Sequence, residues 1–152
     1  LRVRPSRIRG TAMAADTFRK FNSFPEALGR KVHNLNADVI KVVLSNTAVL
    51  ATNAVLADIT QIANGNGYTT GGTVSSGNAY SQSSGTGKFT SGDVLFTASG
   101  SMGPFRYAVM YNDTATNDEL IGWIDYGAAI TLTVGDTFLV DFNAADGVLT
   151  IT

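Results

Sequence analysis

The chain has no cysteine. A disulfide framework, a cysteine zinc cluster and a thiol nucleophile are therefore excluded, and cysteine usage leaves the redox compartment open. It has one histidine, His33, which leaves little from which to build a metal site or an acid–base pair. Charge is scarce as well: Asp, Glu, Lys and Arg make up 15% of the residues, against about 25% in an average soluble domain. No apolar run approaches the roughly 20 residues of a membrane-spanning helix. Leu1–Ala15 carries arginines but no apolar stretch behind them, so it does not read as a secretory signal. Met13 opens the sequence MAADTF, so residues 1–12 have two readings: translated sequence upstream of an initiator, or an authentic start.

What fills the space left by charge is Asn, Thr, Ser and Gly, with 16 glycines in 152 residues. Such residues solvate a surface without mutual repulsion and supply turns, which suits a β-sandwich or a protein packed against copies of itself. The length fits one domain with a real core. The net charge of −1 hides an asymmetry. Residues 1–41 carry nine basic against three acidic residues, a balance of +6; residues 42–152 carry two against nine, a balance of −7. A basic arm on an acidic body points to an acidic neighbour or to nucleic acid, with a solvated tail as the bland alternative.

Along the chain, Phe24, Leu28, Val32 and Leu35 fall at helical spacing behind Pro25, predicting a short helix over Pro25–Asn34 within residues 23–36. From Asp38 onward the period becomes that of strands. Val39–Leu44, Val55–Ile62, an extended piece near Thr73–Ser83, Lys88–Phe89, Val94–Ala98, Phe105–Tyr111, Leu120–Tyr126, Ile130–Val134, Thr137–Phe142 and Val148–Thr152 read as strands, although Val55–Ile62 also tolerates a helical turn. In Phe105–Tyr111 the alternation puts Phe105, Tyr107, Val109 and Tyr111 on one face. Asn64-Gly65-Asn66-Gly67 is a strong turn signal. Short strands at roughly ten-residue spacing predict an all-β, antiparallel sandwich or jelly-roll-like domain over residues 37–152, preceded by a basic arm over residues 1–22.

Residues that could carry chemistry are few. A lone His33 reads as a surface or interface imidazole, and no serine sits in a G-x-S-x-G context. Asp113, Asp118 and Glu119 lack the central glycine and register of a calcium loop and read as a capped hairpin loop. Gly65-Asn66-Gly67 and Gly85-Thr86-Gly87-Lys88 lack the context of nucleotide sites and read as turns. Tyr107, Tyr111, Trp123 and Tyr126 suit sugar binding if exposed and a core if not. The expectation is a protein that is not an enzyme and needs no cofactor or metal.

Three blocks carry a likeness: KVVLSNTAVLATNAVLADITQIANGNGYTTGG (Lys41–Gly72), GPFRYAVMYNDTATNDELIGWIDYG (Gly103–Gly127) and the ending TLTVGDTFLVDFNAADGVLTIT. Together they resemble small structural proteins of tailed bacteriophages, over most of the chain from about Phe18; the stretch before Met13 lies outside the pattern. The resemblance implies a virion component, in particular a head decoration (cement) protein of sandwich or jelly-roll type on the capsid surface. The implied partners are the major capsid protein and the chain itself, as a homotrimer, with no membrane and with nucleic acid set aside. The docking surface expected on this basis is Arg2, Arg4, Arg7, Arg9, Arg19, Lys20, Arg30 and Lys31. A tail or fibre component and a carbohydrate-binding sandwich module are the rivals.

Overall fold

The computed structural model describes residues 2–6, 17–142 and 144–152. Among them are eleven strands and one α-helix: β1 (Arg2–Ser6), β2 (Arg19–Lys20), α1 (Phe24–Gly29), β3 (Ile40–Ser45), β4 (Thr73–Val74), β5 (Ala79–Ser83), β6 (Thr86–Thr90), β7 (Val94–Thr97), β8 (Met102–Asn112), β9 (Leu120–Leu132), β10 (Thr137–Asp141) and β11 (Leu149–Ile151). All pairings are antiparallel. The strands form a five-stranded sheet, β2-β9-β8-β3-β4, and two three-stranded sheets, β1-β10-β7 and β11-β6-β5. The fold is all-β and sandwich-like. No helix among the described residues is long and apolar enough to cross a membrane, which leaves strands unaddressed.

Side chains alternate across a strand, and the central strands use both faces. Ile40, Val42 and Leu44 of β3 join a large core with Met110 and Ala108 of β8 and Ile124 of β9. That core is closed from the other side by Phe89 of β6, Val94 and Phe96 of β7, and Phe138 and Val140 of β10. Val43, Val109, Tyr111, Leu120 and Trp123 belong to a second cluster with Phe21 and Ile59. Residues 46–62 contribute to this second cluster through Val49, Leu56 and Ile59. The centre of the five-stranded sheet is thus dry on both faces.

One tight turn agrees with the sequence signals, and a second lies just before the place they gave it, since Thr86–Lys88 of the expected Gly85–Lys88 turn belong to β6. Gly65 and Tyr68 exchange both backbone hydrogen bonds (2.7 and 2.9 Å) around Asn66-Gly67, both at positive φ. Ser84 and Gly85, again both at positive φ, join β5 to β6. That geometry is the hairpin turn whose twist matches its strands.

Four expectations need correction. The helix is six residues long, not ten. Gly29 weakens it, Lys31 takes a left-handed φ of 63°, and a new turn begins at Asn34, whose N–H is held by the Asp38 carboxylate at 2.7 Å. Val55–Ile62 is not a strand: Leu56–Asp58 forms a 3-10 turn, because the Asp58 carboxylate accepts the N–H groups of Ala54 and Val55 (2.8 and 3.2 Å). Leu120–Tyr126 and Ile130–Val134 are not separate strands but run into one, β9, paired along β8. Finally, Phe105 does not share a face with Tyr107, Val109 and Tyr111. Register shifts interrupt the β8–β9 ladder on either side of Phe105, and its ring enters the large core instead. From Phe105 to Tyr107 β8 advances two residues while β9 advances five, from Ile130 to Asp125, so the regular alternation breaks there.

The attachment of β2 depends on Gly122. Lys20 pairs with Gly122, and a Cβ built at that glycine would overlap the Phe18 ring and lie 2.5 Å from the Arg19 carbonyl oxygen. The carbonyl belongs to the backbone and has little room to retreat. We expect Gly122→Ala to lose about 1–3 kcal/mol of stability through overpacking, read as a lower urea midpoint at unchanged m-value. A wild-type midpoint would show that β2 is not held this closely.

Candidate functional site

The described basic residues singled out in the sequence lie on several elements. Arg2 and Arg4 lie in β1, opposite Asp141 and Leu139 of β10. Arg7 and Arg9 fall outside the described residues. Arg19 and Lys20 form the exposed two-residue strand β2, and Phe18 and Phe21 on either side of it pack into the core. The positive charge of Arg19 also helps to hold the Asp125 carboxyl below the usual carboxylate range, after the larger effect of the hydrogen bonds from Arg106. Arg106 meets Asp125 through two such bonds, at 2.7 and 3.0 Å. Arg30 pairs with Glu26 at 2.8 Å, one helical turn away and fully in solvent, where such a pair contributes little. Lys31 is exposed just beyond the helix.

The histidine is where the sequence reading needs its largest correction. His33 is not at the surface: it is 5% exposed, with its ring stacked on Phe24 at 5.3 Å. Asn112, at the end of β8 and fully buried, organises the surroundings. The Asn112 side-chain carbonyl accepts the N–H groups of Thr114 and Ala115 (3.0 and 3.2 Å), which fixes the orientation of the amide. Its amide nitrogen then donates to Asp38 Oδ2 at 2.6 Å and faces His33 Nδ1 at 3.1 Å and the Val32 carbonyl at 3.4 Å. Nδ1 must therefore accept, and the proton of the neutral ring sits on Nε2. Nε2 is buried and has no hydrogen-bond partner among the described residues. This knot ties the segment after α1 to the central sheet. Nothing in the sequence marked Asn112, which looks like an ordinary turn residue.

The remaining candidates are structural in the same sense. The Asn112–Glu119 loop is capped by its own side chains, with Asn117 donating its side-chain and backbone N–H groups to Glu119 (3.0 and 3.2 Å). Asp113 accepts from Lys41 at 2.8 Å, and the Tyr111 hydroxyl donates to the Gly71 carbonyl at 2.8 Å. Tyr68 donates to Gln61 at 2.6 Å, and burial pushes its pKa up to about 12. Trp123 is 7% exposed, packed on Phe21 with ring centroids 4.6 Å apart; Tyr107 and Tyr126 are half-buried. The aromatics thus line the interior, which weighs against a sugar-binding platform. Among the described residues no three His, Asp or Glu side chains are grouped to hold a metal ion. The 3-10 turn and the Asn117-Asp118 corner border a shallow, open depression of about 560 Å³, which Gln61 also lines.

Comparison with protein-family models, with curated proteins and with solved structures returns no match for this chain.

Burial pulls the pKa of His33 below its ordinary 6.5, and the negative charges of Glu119 and Asp38 only partly oppose this. The folded protein resists protonation there, so the unfolded chain takes up that proton first as the pH falls. The contribution to stability is full above the ordinary value and is lost as pH drops through the window beneath it. Urea midpoints measured between about pH 7.5 and about pH 5.5 should fall towards acid in the wild type and fall less in His33→Gln. Equal slopes would remove His33 as the cause.

Proposed function

We propose that this chain is a non-catalytic structural protein of a tailed-bacteriophage particle, acting as a head decoration (cement) protein. In this reading it binds the outer surface of the shell as an oligomer, a homotrimer by the resemblance, with the major capsid protein as its partner. The observation that carries the proposal is the destination of the side chains that bear chemistry. His33 and Asn112 are spent on a buried knot, Asp38 and Asp58 on holding turns, and Trp123 on the core. What is left outside is a largely polar surface, net acidic over residues 42–152. Such a surface suits binding through many modest contacts spread over several neighbours, where strength comes from multivalency.

The basic N-terminal segment supplies electrostatic complementarity to an acidic shell in this reading, giving orientation and encounter rate more than raw affinity. Its test must spare the fold, because cutting at residue 22 would also remove the buried Phe21. A tail or fibre component is the alternative within the same class, and it differs in abundance.

Quantitative mass spectrometry of purified particles should find this protein in numbers comparable with the major shell protein. A handful of copies would place it in the tail or fibre, and absence from particles would end the virion reading. Replacing Arg2, Arg4, Arg7 and Arg9 together by Gln should lower occupancy of the head at low salt, with the difference from wild type shrinking as salt rises. Unchanged occupancy would sink the docking role of the segment while leaving the copy-number result intact.

A further inference from the structure

Residues 30–38 lead from α1 towards β3 without helix or strand, and they bridge two sheets. At one attachment His33 and Asp38 meet Asn112, the last residue of β8 in the five-stranded sheet, at 3.1 and 2.6 Å. At the other, Asn36 Oδ1 accepts the Tyr80 N–H of β5 at 2.6 Å. β5 is an edge strand of the sheet β11-β6-β5. The Asn36 side chain therefore covers a backbone donor that would otherwise stand open at a sheet edge. Leu35, between the two attachments in sequence, is buried in the main core.

The His33 attachment accepts one protonation state only. Because the Asn112 carbonyl is held by the N–H groups of Thr114 and Ala115, its amide nitrogen must face His33 Nδ1. A second proton on the ring would go to Nδ1 and set two donors against each other at 3.1 Å. Turning the amide over would relieve that contact. It would also strip Thr114 and Ala115 of their acceptor and set a carbonyl against the Asp38 carboxylate. Nε2 gives no outlet, being buried with no hydrogen-bond partner among the described residues. The charged ring would thus aim one donor at a donor and leave the other unpaired, which burial makes costly.

The charges that act on the ring are Glu119, just before β9, and Asp38, from the segment itself; both favour protonation, and burial outweighs them. Phe24 of α1 stacks on the ring and offers no polar atom. A proton is therefore accommodated only if the imidazole leaves for water, and the backbone of residues 30–38 must move with it. Few bonds oppose that movement, since no ladder holds this segment to either sheet.

We infer that residues 30–38 are an acid-released strap: protonation of His33 frees the segment from Asn112 and from the β5 edge while the sheets stay folded. Release uncovers the Phe24 ring and the Tyr80 N–H together, so acid opens an apolar spot and a strand edge that are closed at neutral pH. The inference does not depend on the virion reading. An opening that takes up one proton grows by up to about tenfold per pH unit, from the ordinary histidine value down to the lowered one of the closed state.

Native-state hydrogen exchange of the full chain tests this, in low urea between about pH 7.5 and about pH 5.5, with rates corrected for the intrinsic effect of pH. Peptides covering residues 30–38 are compared with peptides from β3 and β8. The expected result is exchange of residues 30–38 through an opening that depends little on urea, because little surface is exposed, and that grows towards acid. In His33→Gln the opening should lose its pH dependence. In Glu119→Gln, which removes a charge favouring protonation, it should move to lower pH. If residues 30–38 share the urea dependence of β3 and β8, the segment leaves only when the molecule unfolds, and the inference fails. A local opening with the same pH slope in His33→Gln, or at the same pH in Glu119→Gln, would equally remove the proton on His33 as its cause.

Discussion

The alternation of side chains along β3 sends Ile40, Val42 and Leu44 to one side of the five-stranded sheet and Val43 to the other, and both sides exclude water. A sheet buried on two faces must find two covers, and the rest of the chain is arranged to provide them. The two three-stranded sheets and α1 close one side, through Phe89, Phe138, Val140 and Phe24. The other side is closed by irregular chain, residues 46–62, with Phe21 arriving from beside β2. Irregular backbone over an apolar face needs its polar groups satisfied locally. The Asp58 carboxylate, the Asn53 side chain and the Ser45 hydroxyl do this for the backbone around them.

The sequence made the fold class legible because its strongest signals are local. Two Asn-Gly dipeptides fix one turn, and the β-branched run at Ile40–Val43 fixes a central strand. Long-range effects were not legible. Nothing in LIGWIDYGAAITL announces that its 13 residues form one strand across Gly127, with a register shift against β8 between Asp125 and Ile130. Register shifts against β9 on either side of Phe105 break the alternation, so the period-two reading of FRYAVMY put Phe105 on the wrong face. The helix fell short because positions 28–35 obey a helical spacing that the backbone abandons at Lys31.

The same distinction governs the site. His33 looked like a surface residue because its neighbours in sequence, Arg30, Lys31 and Asn34, are polar; its neighbours in space are Phe24 and Asn112. Asn112 is 79 residues from His33 in the chain, and no local pattern links them. The basic residues were legible as a composition but not as a surface. The fold places Arg2 and Arg4 in β1, pairs Arg30 with Glu26, and sets Arg19 at the edge of another sheet. Burial of Trp123 was open in the sequence, and packing decided it.

The five-stranded sheet ends in strands of two residues on both sides, β2 and β4. A strand so short offers too few free backbone groups for another chain to add to it, which is how natural sheets avoid growing edge to edge. The largest sheet is therefore terminated, and longer edges belong to the smaller sheets. Backbone pairing with another chain is less open to the central sheet than to the edges of the smaller sheets.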